Sequence, residues 1–70
     1  MGLLKINGKE HEFTDGKMPA TIADLLSSLG VDSTTVVAEL EGQIIERKNF
    51  STTPLRAGQT IELVRFVPGG

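Results

Sequence analysis

The sequence has no cysteine, tryptophan or tyrosine, and only one histidine and three phenylalanines. Without cysteine there is no disulfide scaffold, no thiolate metal site and no thiol nucleophile. A lone histidine needs two or three further converging ligands before it can hold a metal. The lack of Trp and Tyr also removes most aromatic stacking platforms. Positive charge is scarce. Seven basic against nine acidic residues give a net charge of −2, the wrong sign for a general nucleic-acid binder. Apolar runs reach only a few residues, far short of a membrane span or a secretory core, so the expectation is a soluble cytoplasmic protein. Met1-Gly2 opens like a myristoylation signal, but Ile6 stands where that motif needs Ser or Thr.

Present instead is a short chain with enough apolar residues for one core. Seventy residues, 39% of them hydrophobic, make a single small domain that buries about 60% of its unfolded surface. Its core leaves about 3–5 kcal/mol of net stability. No repeat, linker or low-complexity tract divides it.

Leu3-Leu4-Lys5-Ile6, then Asn7-Gly8, then Lys9 to Phe13 is a strong hairpin signal, because Asn-Gly accepts the positive φ of a type I′ turn. A two-residue loop sets Ile6 against Lys9 and Lys5 against Glu10, an opposite-charge cross-strand pair. Leu4, Ile6, His11 and Phe13 then share the core face. After a loop containing Asp15-Gly16 and Pro19, Thr21 can N-cap a helix, with Asp24 completing a capping-box-like pattern. Ile22, Leu25, Leu26 and Leu29 follow in one stripe, and Gly30 then Val31 reads as a left-handed helix stop. Val36 to Glu41 alternates with Val36, Ala38 and Leu40 inward, and Gly42 turns the chain into a short return strand, Gln43-Ile44-Ile45. Glu46 to Phe50 reads as a helical turn that tucks Phe50 under the core, Ser51 to Gly58 as a loop, and Thr60 to Val67 as the last strand. Two strands, one helix and two or three more strands predict an α+β domain: a mixed sheet with the helix on one face.

The last strand does not alternate cleanly. Ile61 and Leu63 fall on one face while Val64 and Phe66 fall on the other. Two readings stand: a bulged or doubly covered strand, and an apolar spot on the open face that docks a partner. The sequence then closes on Val67-Pro68-Gly69-Gly70. At glycine usage near 7% two closing glycines arise by chance in roughly 0.5% of chains, and the bland reading is an unstructured terminus. The chemical reading is specific. Pro68 lacks a ladder donor and the glycines lack packing side chains, so residues 67–70 form a tail beyond a domain at residues 1–66. Four extended residues reach roughly 13 Å, enough to enter another protein's active site. Gly69 and Gly70 can thread a narrow slot, and the terminal carboxyl is ionised at neutral pH. Such a carboxylate can attack the α-phosphate of ATP, after which a sulfur or amine nucleophile displaces AMP. The chain has no phosphate loop, thiol or acid–base pair of its own. It would be carried, and other proteins would catalyse.

The element order, the length and the closing Gly-Gly resemble the ubiquitin-like β-grasp sulfur carriers, and among them the ThiS family of thiamin biosynthesis. The likeness covers essentially the whole chain. It is densest in Val37-Ala38-Glu39-Leu40-Glu41-Gly42-Gln43-Ile44-Ile45-Glu46-Arg47, which resembles that family's V-A-x-N-G-x-x-V-P-R run. It returns in Ala57-Gly58-Gln59-Thr60-Ile61-Glu62-Leu63. Glu41 stands where Asn is usual, Glu46 where Pro is usual and Gln59 where Asp is common; all three are turn positions. The resemblance implies a β-grasp fold with a four- to five-stranded mixed sheet and one main helix. It implies that an E1-like adenylating enzyme (ThiF- or MoeB-like) activates Gly70 with ATP. A separate donor then makes it a thiocarboxylate, and a ThiG-like thiazole synthase receives the sulfur. The carrier itself is not an enzyme and binds no cofactor stably. Val64, Phe66, Val67 and Pro68 would dock against these partners while Gly69 and Gly70 insert; no nucleic acid, membrane or metal is implied. Arg47 matches the family run.

Two other readings share parts of this pattern. A sibling β-grasp carrier would serve molybdopterin (MoaD-like) or cysteine synthesis, although the short length favours thiamin. A non-covalent β-grasp module would not need Gly69-Gly70. Among other polar residues, His11 reads as a hairpin residue at the core's edge. Glu39 and Glu41 read as a solvated strand face, and Asp15, Asp24 and Asp32 as turn and cap residues. Lys48, Arg56 and Arg65 form a candidate basic rim near the tail.

Overall fold

Strands β1 (Gly2–Ile6) and β2 (Lys9–Phe13) pair antiparallel across Asn7-Gly8, whose φ angles of 51° and 83° are those a type I′ turn requires. The register sets Lys5 opposite Glu10 and Ile6 opposite Lys9, as the two-residue loop predicts. The structure is a computed structural model, described over residues 2–66.

Helix α1 (Ile22–Leu29) starts where Thr21 caps it: the Thr21 Oγ1 accepts a hydrogen bond from the Asp24 N–H at 3.2 Å. It stops at Gly30, whose φ of 71° and ψ of 27° place it in the left-handed region, and the Val31 N–H returns to the Leu26 carbonyl. Ile22, Leu25 and Leu26 are buried, but Leu29 is 41% exposed. The stripe therefore ends one turn early. Val31, just past the cap, packs against the core at that end.

A 3₁₀ turn (Ser33–Thr35) capped by Asp32 leads into β3 (Val36–Leu40), with Val36, Ala38 and Leu40 all buried. Glu41-Gly42 reverses the chain into β4 (Gln43–Ile45). A second 3₁₀ turn (Arg47–Asn49) delivers Phe50 to the core, where it is 3% exposed. The loop that follows also contributes Leu55, which is buried although its segment reads as plain loop. Strand β5 (Thr60–Arg65) then runs through the middle of the sheet.

The sheet order is β2-β1-β5-β3-β4, with β1 and β5 parallel and the other neighbours antiparallel. This is the mixed sheet with one helix that the element order predicts. All core residues come from the helix-side face of the sheet, from α1 and from Phe50 and Leu55. Burying each large side chain is worth about 1.5–3 kcal/mol against a small net stability, so the core tolerates little loss. No described helix is long and apolar enough to cross a membrane.

Candidate functional site

Strand β5 carries Val64 and precedes Phe66, and its neighbours hold it on both sides. On one side it pairs with β3 in an unbroken register from Leu40 opposite Ile61 to Val36 opposite Arg65. The Phe66 N–H extends that ladder by donating to the Thr35 carbonyl at 2.9 Å. On the other side the parallel pairing with β1 covers only Lys5 with Thr60 and Ile6 with Ile61. There the hairpin turn takes over. The Asn7 N–H donates to the Ile61 carbonyl at 3.0 Å, and the Asn7 Oδ1 accepts from the Leu63 N–H at 2.7 Å. The turn asparagine thus supplies by its side chain the acceptor that a longer β1 would supply by its backbone. Nothing local in the sequence indicates this bond, which links residues far apart in the chain.

The continuous register excludes a bulge in β5. Ile61 is fully buried and Leu63 half-buried on the helix side, whereas Val64 is 62% and Phe66 46% exposed. Val64 and Phe66 therefore lie on the open face, as the docking reading requires. They have apolar company there. Val37, directly opposite Val64, is 42% exposed, and Ile44 on the edge strand is 69% exposed. Sequence reading missed these two because each sits in a strand whose alternation reads as ordinary surface. Val67, Pro68, Gly69 and Gly70 lie outside the described residues.

Other expected groupings change. Glu41 leaves the strand face altogether, since it occupies a left-handed turn position with φ of 50°. Glu39 instead sits directly opposite Glu62 on the open face, beside Ile44. Of the candidate basic rim, Arg65 ends β5, Arg56 lies before that strand begins at Thr60, and the Lys48 Nζ pairs with Glu46 at 3.4 Å. His11 is half-buried on the core face opposite Leu4. Among the described residues no group of three His, Asp or Glu side chains could hold a metal ion.

Near the start of β3, Asp32 accepts from both the N–H of Thr34 (2.9 Å) and its hydroxyl (2.8 Å). These bonds hold its carboxyl below the usual value of 3.8, with a smaller contribution from the charge of Arg47. Arg47 thus contributes to the electrostatics of the turn that feeds β3.

Comparison with known proteins decides the family. The ThiS family model matches residues 4–70, running from the first strand through the closing glycines. The chain belongs to the ThiS family. A sulfur carrier protein ThiS from Bacillus subtilis is 34% identical over 68 residues, covering 97% of this chain and all of that protein. A thiazole synthase from Paramagnetospirillum magneticum is 34% identical over 67 residues, 96% of this chain but only 20% of that longer protein. The crystal structure of a ThiS thiamine biosynthesis protein from Geobacter metallireducens superposes with a TM-score of 0.81 at 35% identity, over 97% of this chain and 99% of that one. A solution structure of a thiamine biosynthesis protein from the same organism gives 0.74 over 97% and 87%. The ThiS-type fold is therefore the ubiquitin-like β-grasp, and the sheet described above is its sheet.

Proposed function

We propose that this ThiS-family chain is a sulfur carrier of thiamin biosynthesis whose terminal Gly70 carboxylate is the reacting group. The observation that carries this reading is the family match through residue 70, which includes the Gly69-Gly70 pair. A partner adenylating enzyme binds the tail together with ATP. The Gly70 carboxylate oxygen attacks the α-phosphorus, pyrophosphate leaves, and an acyl-adenylate forms. A sulfide equivalent from a separate donor then attacks the acyl carbon and expels AMP, leaving a thiocarboxylate. The similarity between this chain and part of a thiazole synthase supports a thiazole synthase as the recipient of that sulfur. The carrier contributes no catalytic side chain. It contributes a tail without Cβ atoms at its tip, and Val64 and Phe66, with Val67 and Pro68, as the surface that docks while Gly69 and Gly70 insert.

Pyrophosphate release by the adenylating enzyme, measured with this chain as the acyl substrate, tests the assignment. Deleting Gly70 should abolish release. Val64→Asp should raise the concentration of carrier needed for half-maximal release and leave the saturating rate close to wild type. Undiminished release from the Gly70-deleted chain would overturn the proposal.

A further inference from the structure

The hairpin turn Asn7-Gly8 carries chemistry that the carrier reading does not use. The sequence holds two asparagines, Asn7 and Asn49. An asparagine side-chain amide is an electrophile, and the main-chain nitrogen of the next residue is the nucleophile that can close on it. Glycine in that next position favours closure, because no side chain screens its nitrogen and its backbone turns freely. Asn7 and Gly8 are both exposed, and open space lies where a Gly8 side chain would stand. The Gly8 N–H makes no hydrogen bond among the described residues. Asn49 is built the other way. Its neighbour Phe50 is buried, and the Phe50 N–H donates to the Arg47 carbonyl at 3.0 Å.

The hold on β5 restrains Asn7. Its N–H donates to the Ile61 carbonyl at 3.0 Å, and its Oδ1 accepts from the Leu63 N–H at 2.7 Å. Ring closure must swing Cγ onto the Gly8 nitrogen, which takes Oδ1 away from Leu63. We propose that Asn7 is a hydrolytic self-modification site, with Gly8 as the nucleophile and the bond to Leu63 as the restraint. A base in solution takes the Gly8 amide proton, and the nitrogen attacks Cγ of Asn7. The Cγ–Nδ2 bond breaks, ammonia leaves, and a five-membered cyclic imide joins the two residues. Water then opens the ring. Breaking the new bond to Cγ gives aspartate at position 7. Breaking the original peptide bond instead leaves the chain running through Cγ, an isoaspartyl linkage. The net change is water for ammonia. Aspartate keeps the two-residue loop and an acceptor for Leu63. The isoaspartyl form adds a carbon to the main chain of a turn whose length fixes the register of β1 with β2. That turn cannot reclose as it was, so the step is a one-way record of the turn lifting from β5.

The test follows the full chain by intact mass and fragmentation during incubation at mildly alkaline pH, in native buffer and in guanidinium chloride that unfolds it. Residue 7 should exchange ammonia for water in both. In native buffer it should react about 5–30-fold more slowly, the ratio expected when one or two hydrogen bonds must first open. Asn49 should stay intact in native buffer throughout. At guanidinium concentrations below the unfolding transition, modification of residue 7 and hydrogen exchange at the Leu63 amide should accelerate in parallel. The separated isoaspartyl product should unfold at lower guanidinium than the Asn7→Asp variant, although both carry the same charge. Equal rates at residue 7 with and without denaturant, native-state modification of Asn49 ahead of Asn7, or an unmodified residue 7 overturns the inference. The carrier assignment does not depend on any of these outcomes.

Discussion

Glu41 holds a left-handed backbone angle, φ of 50°, in the two-residue turn before Gly42. The left-handed region costs a residue with an ordinary Cβ about 1–2 kcal/mol, and Asn tolerates it better than Glu. This explains why the ThiS pattern places Asn there and why Glu is an expensive departure. Glu41→Asn should stabilise the domain by about 1 kcal/mol, raising Tm by about 4–8 °C for a chain of this size; calorimetry checks it. The other departures are cheaper. Glu46 has φ of −68°, which suits proline and most other residues equally. Gln59 closes its own turn, its Oε1 accepting from the Arg56 N–H at 2.7 Å. Asp32 carries a pH signature. Hydrogen bonds from Thr34 lower its folded pKa below 3.8, so its contribution to stability is complete above that value and is lost as pH falls through the folded midpoint. Carbon-detected NMR titration should place the Asp32 midpoint below 3.8, and Thr34→Ala should raise it.

The hairpin and β5 act as one element through Asn7. Asn7→Gly keeps a residue that accepts the turn's φ but removes the acceptor for the Leu63 N–H, and should cost about 1 kcal/mol. Asn7→Asp keeps an acceptor and should cost less. Hydrogen exchange at the Leu63 amide should accelerate in the glycine variant and stay slow in the aspartate variant. Local chemistry explains how much of the fold could be read in advance. Asn7-Gly8, the Thr21 cap, the Gly30 stop and the Val36–Ala38–Leu40 alternation each specify an element by residues close in sequence. What escaped was the long-range placement. The sheet order, the bond from Asn7 to Leu63 and the burial of Leu55 depend on contacts with residues distant in the chain. The same distinction applies to the candidate site. The split alternation of β5 announced Val64 and Phe66 within one strand. Val37, Ile44 and the Glu39–Glu62 pair join them only through register, since each looks like surface until the neighbouring strand is in place.

The whole molecule is a small sheet-and-helix body with an acidic, partly apolar open face and no cysteine. On the carrier reading proposed above the sulfur rides on the main-chain terminus, and a chain without cysteine offers no side-chain thiol to compete for the activated acyl group. On that reading, the one α-helix and five strands among the described residues have only to be recognised and to present Gly70. The most direct test is the intact mass of the protein after incubation with its adenylating enzyme, ATP and a sulfide donor. The expected product is heavier by one oxygen-for-sulfur replacement, located at Gly70 by fragmentation and absent without ATP. An unchanged mass in the presence of active enzyme, or sulfur located anywhere other than Gly70, would contradict the carrier assignment.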